Sequence, residues 1–387
     1  LLFGALFGVG ATLAVQAAIP EAQAGKGKTK GQLERQEFHD SLDVVLDRYV
    51  EPVDAPELMS RALKHMVAGL DPYSHYMTVD ERELAQQRRT QGADTGLVTT
   101  LRRGGSGAPA ELEVIAVHPG SPADKLDIDP GTRILEIRDR PCGLLLSNVE
   151  AQLLLSGADG ERIAMTIERG HGAEMLTIEL AKPAAITGVA SRLIDHDGHA
   201  IAVIEISEFR SGTGERVKRA LADLRTRAGG SLVGIVLDLR GNPGGEVSEA
   251  VLVADLFIDE GVLVRTRGRG GVIMREELAT AAGTDRDTPL LVLQDRRSAS
   301  AAELLAVALQ DHGRAKILGE PSFGKGTVQE VIGIPDGSLL TLTVARYYSP
   351  EDRKIDGRGV EPDIVLERID GAAGLDAAQR ELLGRVR

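Results

Sequence analysis

The chain has 387 residues, 42% of them hydrophobic, with 45 glycines, one cysteine and no tryptophan. That is enough for two or three units with cores of their own, and the lone Cys142 excludes an internal disulfide. A net charge of −13, with only 3% aromatic residues and no basic patch among them, excludes nucleic acid and anionic membrane surfaces as main partners, which need a concentrated positive field.

Residues 1–20 carry no charge and lead into Ala22-Gln23-Ala24, a small-residue pattern that a signal peptidase cuts. Residues 1–24 are therefore expected to be a signal peptide or, at roughly 20 apolar residues, a membrane anchor. The Gly-Lys-rich stretch 25–31 is a flexible linker. From 33 to about 89, apolar residues at helical spacing (Phe38, Leu42, Val45, Tyr49; then Leu58, Ala62, Met66) predict short helices, with an Asp-Pro turn at Asp71-Pro72 between them. From Thr95 the pattern becomes alternating strands, over 96–101, 112–117, 133–137 and 162–168, with one helix over 147–155. Near Ala184 a third unit begins, with strands over 201–206 and 232–237 flanking a helix over 215–227. A Gly-rich turn at 240–245, a helix over 248–257, strands over 262–266 and 290–293, a helix over 303–310, a strand over 316–318, a hairpin around Pro335-Asp336-Gly337 and a terminal helix after Gly371 complete it.

Two segments of this last unit carry chemistry. Ser298-Ala299-Ser300-Ala301-Ala302-Glu303 places a serine at the opening of a helix, beside free backbone N–H groups. Phe323-Gly324-Lys325-Gly326 sets a lysine between glycines. No histidine lies in a recognisable hydrolase motif, so the base for Ser300 would be Lys325, made neutral by burial. Gln329 would hold the amine, and Glu303 would order the serine or the lysine. A helix cap and a surface turn are the ordinary roles of such residues taken singly; the two motifs together favour the dyad. A phosphate-loop reading of Gly319 to Lys325 fails, because Gly326 stands where a hydroxyl is needed and the next segment reads as strand, not helix. Gly244 and Gly245, in the turn after the strand ending at Leu239, are candidate oxyanion-hole residues together with Ala301. In the β-unit, Gly96-Leu97-Val98 and the helix at 147–155 could take up an extended peptide by strand addition. His196 and His199 lie in a polar hairpin tip and Cys142 is structural, so neither a metal nor a cofactor is implied.

Leu70 to Ser74, Gly120-Ser121-Pro122-Ala123, Asp238 to Gly245, Ser298 to Glu303, Phe323 to Gln329, and Ala345-Arg346-Tyr347-Tyr348 through Ile364 resemble the carboxyl-terminal processing proteases, peptidase family S41, over about Leu33 to Leu366. The resemblance implies an α/β and β multidomain chain: signal peptide or anchor (1–24), linker and helical segment (25–89), PDZ domain (90–183), crotonase/ClpP-like S41 core (184–368) and helical tail (369–387). It implies an exported serine endopeptidase of the bacterial periplasm or cell envelope, anchored in the inner membrane if 1–20 is kept. Its partners would be proteins with accessible C-terminal tails, an adaptor protein and further copies of itself, with no cofactor. Carried over by position, Ser300 and not Ser298 is the nucleophile, Lys325 the base, Gln329 its support, Glu303 the acidic residue after the serine, and Ala301 N–H with the Gly244-Gly245 turn the oxyanion hole. Gly96, Leu97 and Val98 stand at the carboxylate loop of the PDZ domain, where a Gly-Ile-Gly-like sequence is familiar; Gly131-Thr132 replaces a usual Gly-Asp, and 349–353 lacks a common glycine. A catalytically silent binding protein, or a PDZ adaptor, on the same scaffold is the alternative.

Overall fold

The structure, a computed structural model, describes residues 30–103, 109–118, 120–170, 172–182, 188–196, 198–280, 283–369 and 371–384. The expected signal peptide or anchor therefore lies outside the described residues. Among these no helix is long and apolar enough to cross a membrane.

Three helices, Lys30–Arg48, Ala55–Ala68 and Val79–Gln91, form the N-terminal unit. Asp54 caps the second through Glu57 N, and a Thr78–Glu81 capping box opens the third, which stops at Gly92 in the left-handed region. Between them His75–Met77 is a short strand, not anticipated from the sequence, that pairs antiparallel with Leu339–Thr341 and so stitches this unit to the C-terminal one. Arg82 reinforces the seam by donating to Gly337 O at 2.6 Å.

The β-unit is a meander of Leu97–Arg103, Ala110–Val117, Arg133–Ile137, Arg162–Arg169 and Gly172–Glu179, all antiparallel. Alternation drives it: Ile163, Met165 and Ile167 are buried while their neighbours face water, and with Leu101, Leu112, Ile134 and Ile137 they form a core of the unit's own. Its helix Asn148–Leu154 starts at the Ser147 cap. Asn148 bridges two units, accepting from Leu101 N at 2.6 Å and donating to Pro72 O at 3.0 Å. Cys142 is buried here, and burial pushes its thiol up to about 12, in keeping with a structural role.

The C-terminal unit is built on a six-stranded sheet in the order Val189–His196, His199–Ile206, Gly234–Asp238, Leu290–Gln294, Ala315–Gly319 and Ile364–Val365, parallel except for its first pair. The central strands are apolar throughout because both faces are covered. Helices Thr213–Arg227, Val247–Asp255 and Ala301–Asp311 pack on one face, and Ala372–Gly384 covers the other with Leu375, Ala378 and Leu382. A second, antiparallel sheet joins His75–Met77, Leu339–Tyr348, Val262–Arg267, Ile273–Leu278 and Thr327–Gly333. Ala301–Asp311 shares one core with residues of both sheets and is buried on every side from Ala301 to Leu309, as a sequence apolar there except for Glu303 requires. That packing fixes its first residue at the carboxyl ends of the parallel strands, where open α/β sheets place their ligands.

Candidate active site

Ser300 caps this buried helix in a conformation few residues adopt, with φ 54° and ψ −115°, and only 2% of it is exposed. A non-glycine residue at positive φ stores on the order of 1–3 kcal/mol of strain, held by the surrounding packing. Ser298, two residues earlier, is engaged elsewhere: its hydroxyl donates to Leu239 O at 2.8 Å and accepts from Asp295 N at 3.0 Å.

One carboxylate organises the site. Glu303 Oε2 accepts from Ser300 N at 2.7 Å and from Lys325 N at 2.8 Å. Glu303 Oε1 accepts from Ser322 Oγ at 2.5 Å and Gly324 N at 2.6 Å. Four donors thus fill the lone-pair positions of a fully buried acid, tying the serine and lysine loops to one point. Burial pushes this carboxyl up from its ordinary value, and the donors pull against that rise.

The lysine loop is clamped on its other side as well. Gly324 O accepts from Gly357 N, Gly326 O accepts from Tyr347 N, and Phe323 N donates to Ser298 O. Side chains at the two glycines would collide with the 356–359 backbone, 2.5 Å from Asp356 N at Gly326 and 2.9 Å from Gly359 N at Gly324. Lys325 leads into the strand Thr327–Gly333, which is incompatible with a phosphate loop. Lys325 is 8% exposed, and burial pushes its amine down to about 7, against the opposing pull of Glu303. Its Nζ lies 4.8 Å from the ring centroid of Tyr73.

The Gly-rich turn approaches from the neighbouring strand. A Cβ on Gly244 would sit 2.8 Å from Ser300 Cβ and 3.1 Å from Ala301 N, so only glycine lets the turn lie over the serine. Gly244's own N–H does not face outward as expected: Asn242 Oδ1 takes it at 2.8 Å, because the buried Asn242 folds its side chain back over the turn and donates to Ile206 O. Gly245 lies against Phe209, whose backbone bonds to Gly244 O and Glu246 N on either side of it. The hydrogen bonds of the described residues leave Gly245 N–H and the helix-opening Ala301 N–H without a protein acceptor.

A cavity of about 420 Å³ opens beside Lys325. Gln329 lines it, its amide nitrogen bonded to the Thr327 and Thr343 hydroxyls at 2.8 and 3.2 Å. Leu97 and Val98, on the edge strand of the β-unit sheet, and Val149 and Gln152 of its helix line the same space, so the β-unit groove and the lysine share one cavity. Gly96 is outside the lining: its N–H is held by Asp94 Oδ1 at 2.8 Å, and Ser121 packs where a Cβ would stand. Tyr73, Asn242 and Ser322 received no role from the sequence. The Asp71-Pro72 pair signals a turn beside Tyr73, but nothing local connects Tyr73 with Lys325.

The profile of Peptidase family S41 matches residues 200–366, and that of the activating protease CtpB N-terminal domain matches residues 7–81. Carboxyl-terminal-processing peptidase 2, chloroplastic, of Arabidopsis thaliana is 35% identical over 328 residues, covering 82% of this chain and 62% of the relative. The carboxy-terminal-processing protease of Bartonella bacilliformis is 32% identical over 334 residues, covering 86% of this chain and 74% of the relative. Among solved structures, the photosystem II D1 C-terminal processing protease superposes with a TM-score of 0.73 at 28% identity, over 88% of this chain and 94% of that one.

Proposed function

Because the chain belongs to the carboxyl-terminal processing proteases of peptidase family S41, which are serine peptidases, we propose that it is an exported endopeptidase working through a Ser300–Lys325 dyad. The observation that carries this reading is the convergence of both loops on Glu303, with a strained, buried serine on one side and a lysine pushed down to about 7 on the other.

In this mechanism neutral Lys325 takes the Ser300 Oγ proton as the oxygen attacks the scissile carbonyl. The oxyanion is met by Ala301 N–H and Gly245 N–H, while Gly244 supplies the space. The lysine ammonium then protonates the leaving amine, and water, deprotonated in turn by the lysine, releases the acyl-enzyme. Gln329 keeps the amine aimed at the serine. Residues 90–183 act as a PDZ domain: a substrate tail adds to the outer edge of Leu97–Arg103 around Thr99, between the Leu97 N–H held by Thr95 and the Leu101 N–H held by Asn148, facing Asn148–Leu154. The shared cavity supports this, since a chain held there runs on toward Lys325. Export through residues 1–24, self-association and an adaptor complete the proposal.

The test is to incubate the wild type and Ser300→Ala with exported proteins and sequence the new C-termini. Shortened C-termini that appear only with the wild type are expected; equal processing by Ser300→Ala would refute the reading.

A further inference from the structure

Tyr73 forms a wall of the lysine site that neither catalytic loop supplies. It comes from the N-terminal helical unit, and its ring centroid stands 4.8 Å from Lys325 Nζ. The segment bearing it is fixed from two sides. Asp71 Oδ1 accepts from Tyr73 N and Ser74 N, each at 2.8 Å, and Asp71 Oδ2 accepts from Ser74 Oγ at 2.9 Å. Ser74 Oγ in turn accepts from Thr343 N at 3.0 Å, and the next residues pair with Leu339–Thr341. Thr343 is also a partner of Gln329, so the same strand positions Tyr73 and the lysine's neighbour.

We propose that Tyr73 is a positioning residue for Lys325, its ring face stabilising the ammonium that forms as the lysine takes the Ser300 proton, so that the N-terminal unit completes the active site. The inference rests on the Ser300–Lys325 dyad proposed above. An aromatic face attracts a cation and is nearly indifferent to a neutral amine. The attraction therefore grows between ground state and transition state, which raises kcat and leaves KM alone. A leucine of similar bulk would keep water out equally well and supply none of this. Burial first, and then the Asp356, Glu303 and Asp71 carboxylates, raise the phenol of Tyr73 above its ordinary range, against Arg102, so the ring is not a phenolate at neutral pH. Among the described residues, those carboxylates and Arg102, which rests over Phe323 at 5.8 Å, act on the lysine–tyrosine pair.

The experiment places phenylalanine bearing zero, one, two or three ring fluorines at position 73 of the full chain. Each fluorine drains the ring face without changing its bulk much. Tyr73→Phe is expected to keep kcat within about twofold, and each fluorine to lower plateau kcat, for a total of roughly tenfold with KM unmoved. The acid limb of the kcat/KM profile moves to lower pH along the series, because the ammonium loses support. Lys325→Ala in parallel tests the dyad itself: if it is active, the dyad fails. If Lys325→Ala is dead while the fluorine series is flat in kcat and acid limb, the role of Tyr73 is overturned and the dyad stands. Loss of activity in a folded Tyr73→Phe would also overturn it, by assigning the effect to the hydroxyl.

Discussion

Removing the Glu303 carboxylate should disable the site and loosen the fold at once. In Glu303→Gln the new NH₂ can face either pair of donors. Toward Ser300 N and Lys325 N it leaves two buried N–H groups without acceptors. Toward Ser322 and Gly324 it leaves one N–H, since the Ser322 oxygen, which already accepts from Val360 N, has a second lone pair for the amide once its proton turns away, whereas Gly324 N–H cannot accept. The second orientation wins, at a cost of about 1–3 kcal/mol for the one orphaned group. Glu303→Ala strands all four donors and opens a cavity, on the order of 4 kcal/mol or more. With roughly 2–4 °C of Tm per kcal/mol for a unit of this size, calorimetry should show a graded loss from wild type to Gln to Ala. Hydrolysis of an unstructured protein should show kcat reduced at least tenfold in Gln, with a smaller change in KM, because the serine and lysine loops no longer share an anchor. Wild-type Tm and kcat in Glu303→Ala would refute the reasoning.

Gly244→Ala forces a Cβ to 2.8 Å from Ser300 Cβ at a φ of +106°, so kcat should fall at least a hundredfold, comparable to the ~3 kcal/mol loss of an oxyanion donor, while far-UV circular dichroism is retained. Lys325, pushed down to about 7, acts only when neutral, so kcat/KM should rise with pH through about 7 and level off above, and Lys325→Arg should be inactive at every pH. The same depression from 10.5 means that the folded chain binds fewer protons than the unfolded chain between these values. Stability therefore rises with pH across that window, and Lys325→Met should raise Tm most at pH 7 and below; a Tm no higher than that of the wild type would contradict this. On the β-unit edge, Thr99→Pro, which removes an N–H that faces away from Ala110–Val117, should raise KM for substrates with long tails and leave kcat for a short peptide within about twofold, measured on the two substrates side by side.

Local pattern carried the repetitive parts of the fold. The strand expected over 133–137 is Arg133–Ile137, because burial on one face writes alternation into the sequence, and the helix expected over 303–310 is Ala301–Asp311, because burial on every face writes an apolar run too long for a strand. Gly172–Glu179 and Ile273–Leu278 were not anticipated: they are largely exposed, so no apolar alternation marks them. Only the position carried over from the family resemblance distinguishes Ser300 from Ser298 in the sequence; the Ser298 hydroxyl bond to Leu239 O depends on the end of a strand 59 residues earlier and has no local signal. Gly244 could not be read correctly, since whether a turn N–H points outward depends on the rotamer of Asn242. Tyr73 was beyond reach, because its place over Lys325 depends on the pairing of His75–Met77 with a strand far along the chain.

The most direct test of the account is covalent labelling with a serine-directed phosphonate and identification of the adduct by peptide mass spectrometry. A single adduct on Ser300, formed faster as pH rises through about 7 and absent from Lys325→Ala, is the predicted result. An adduct on Ser298 or on another residue, or undiminished labelling of Lys325→Ala, would contradict it.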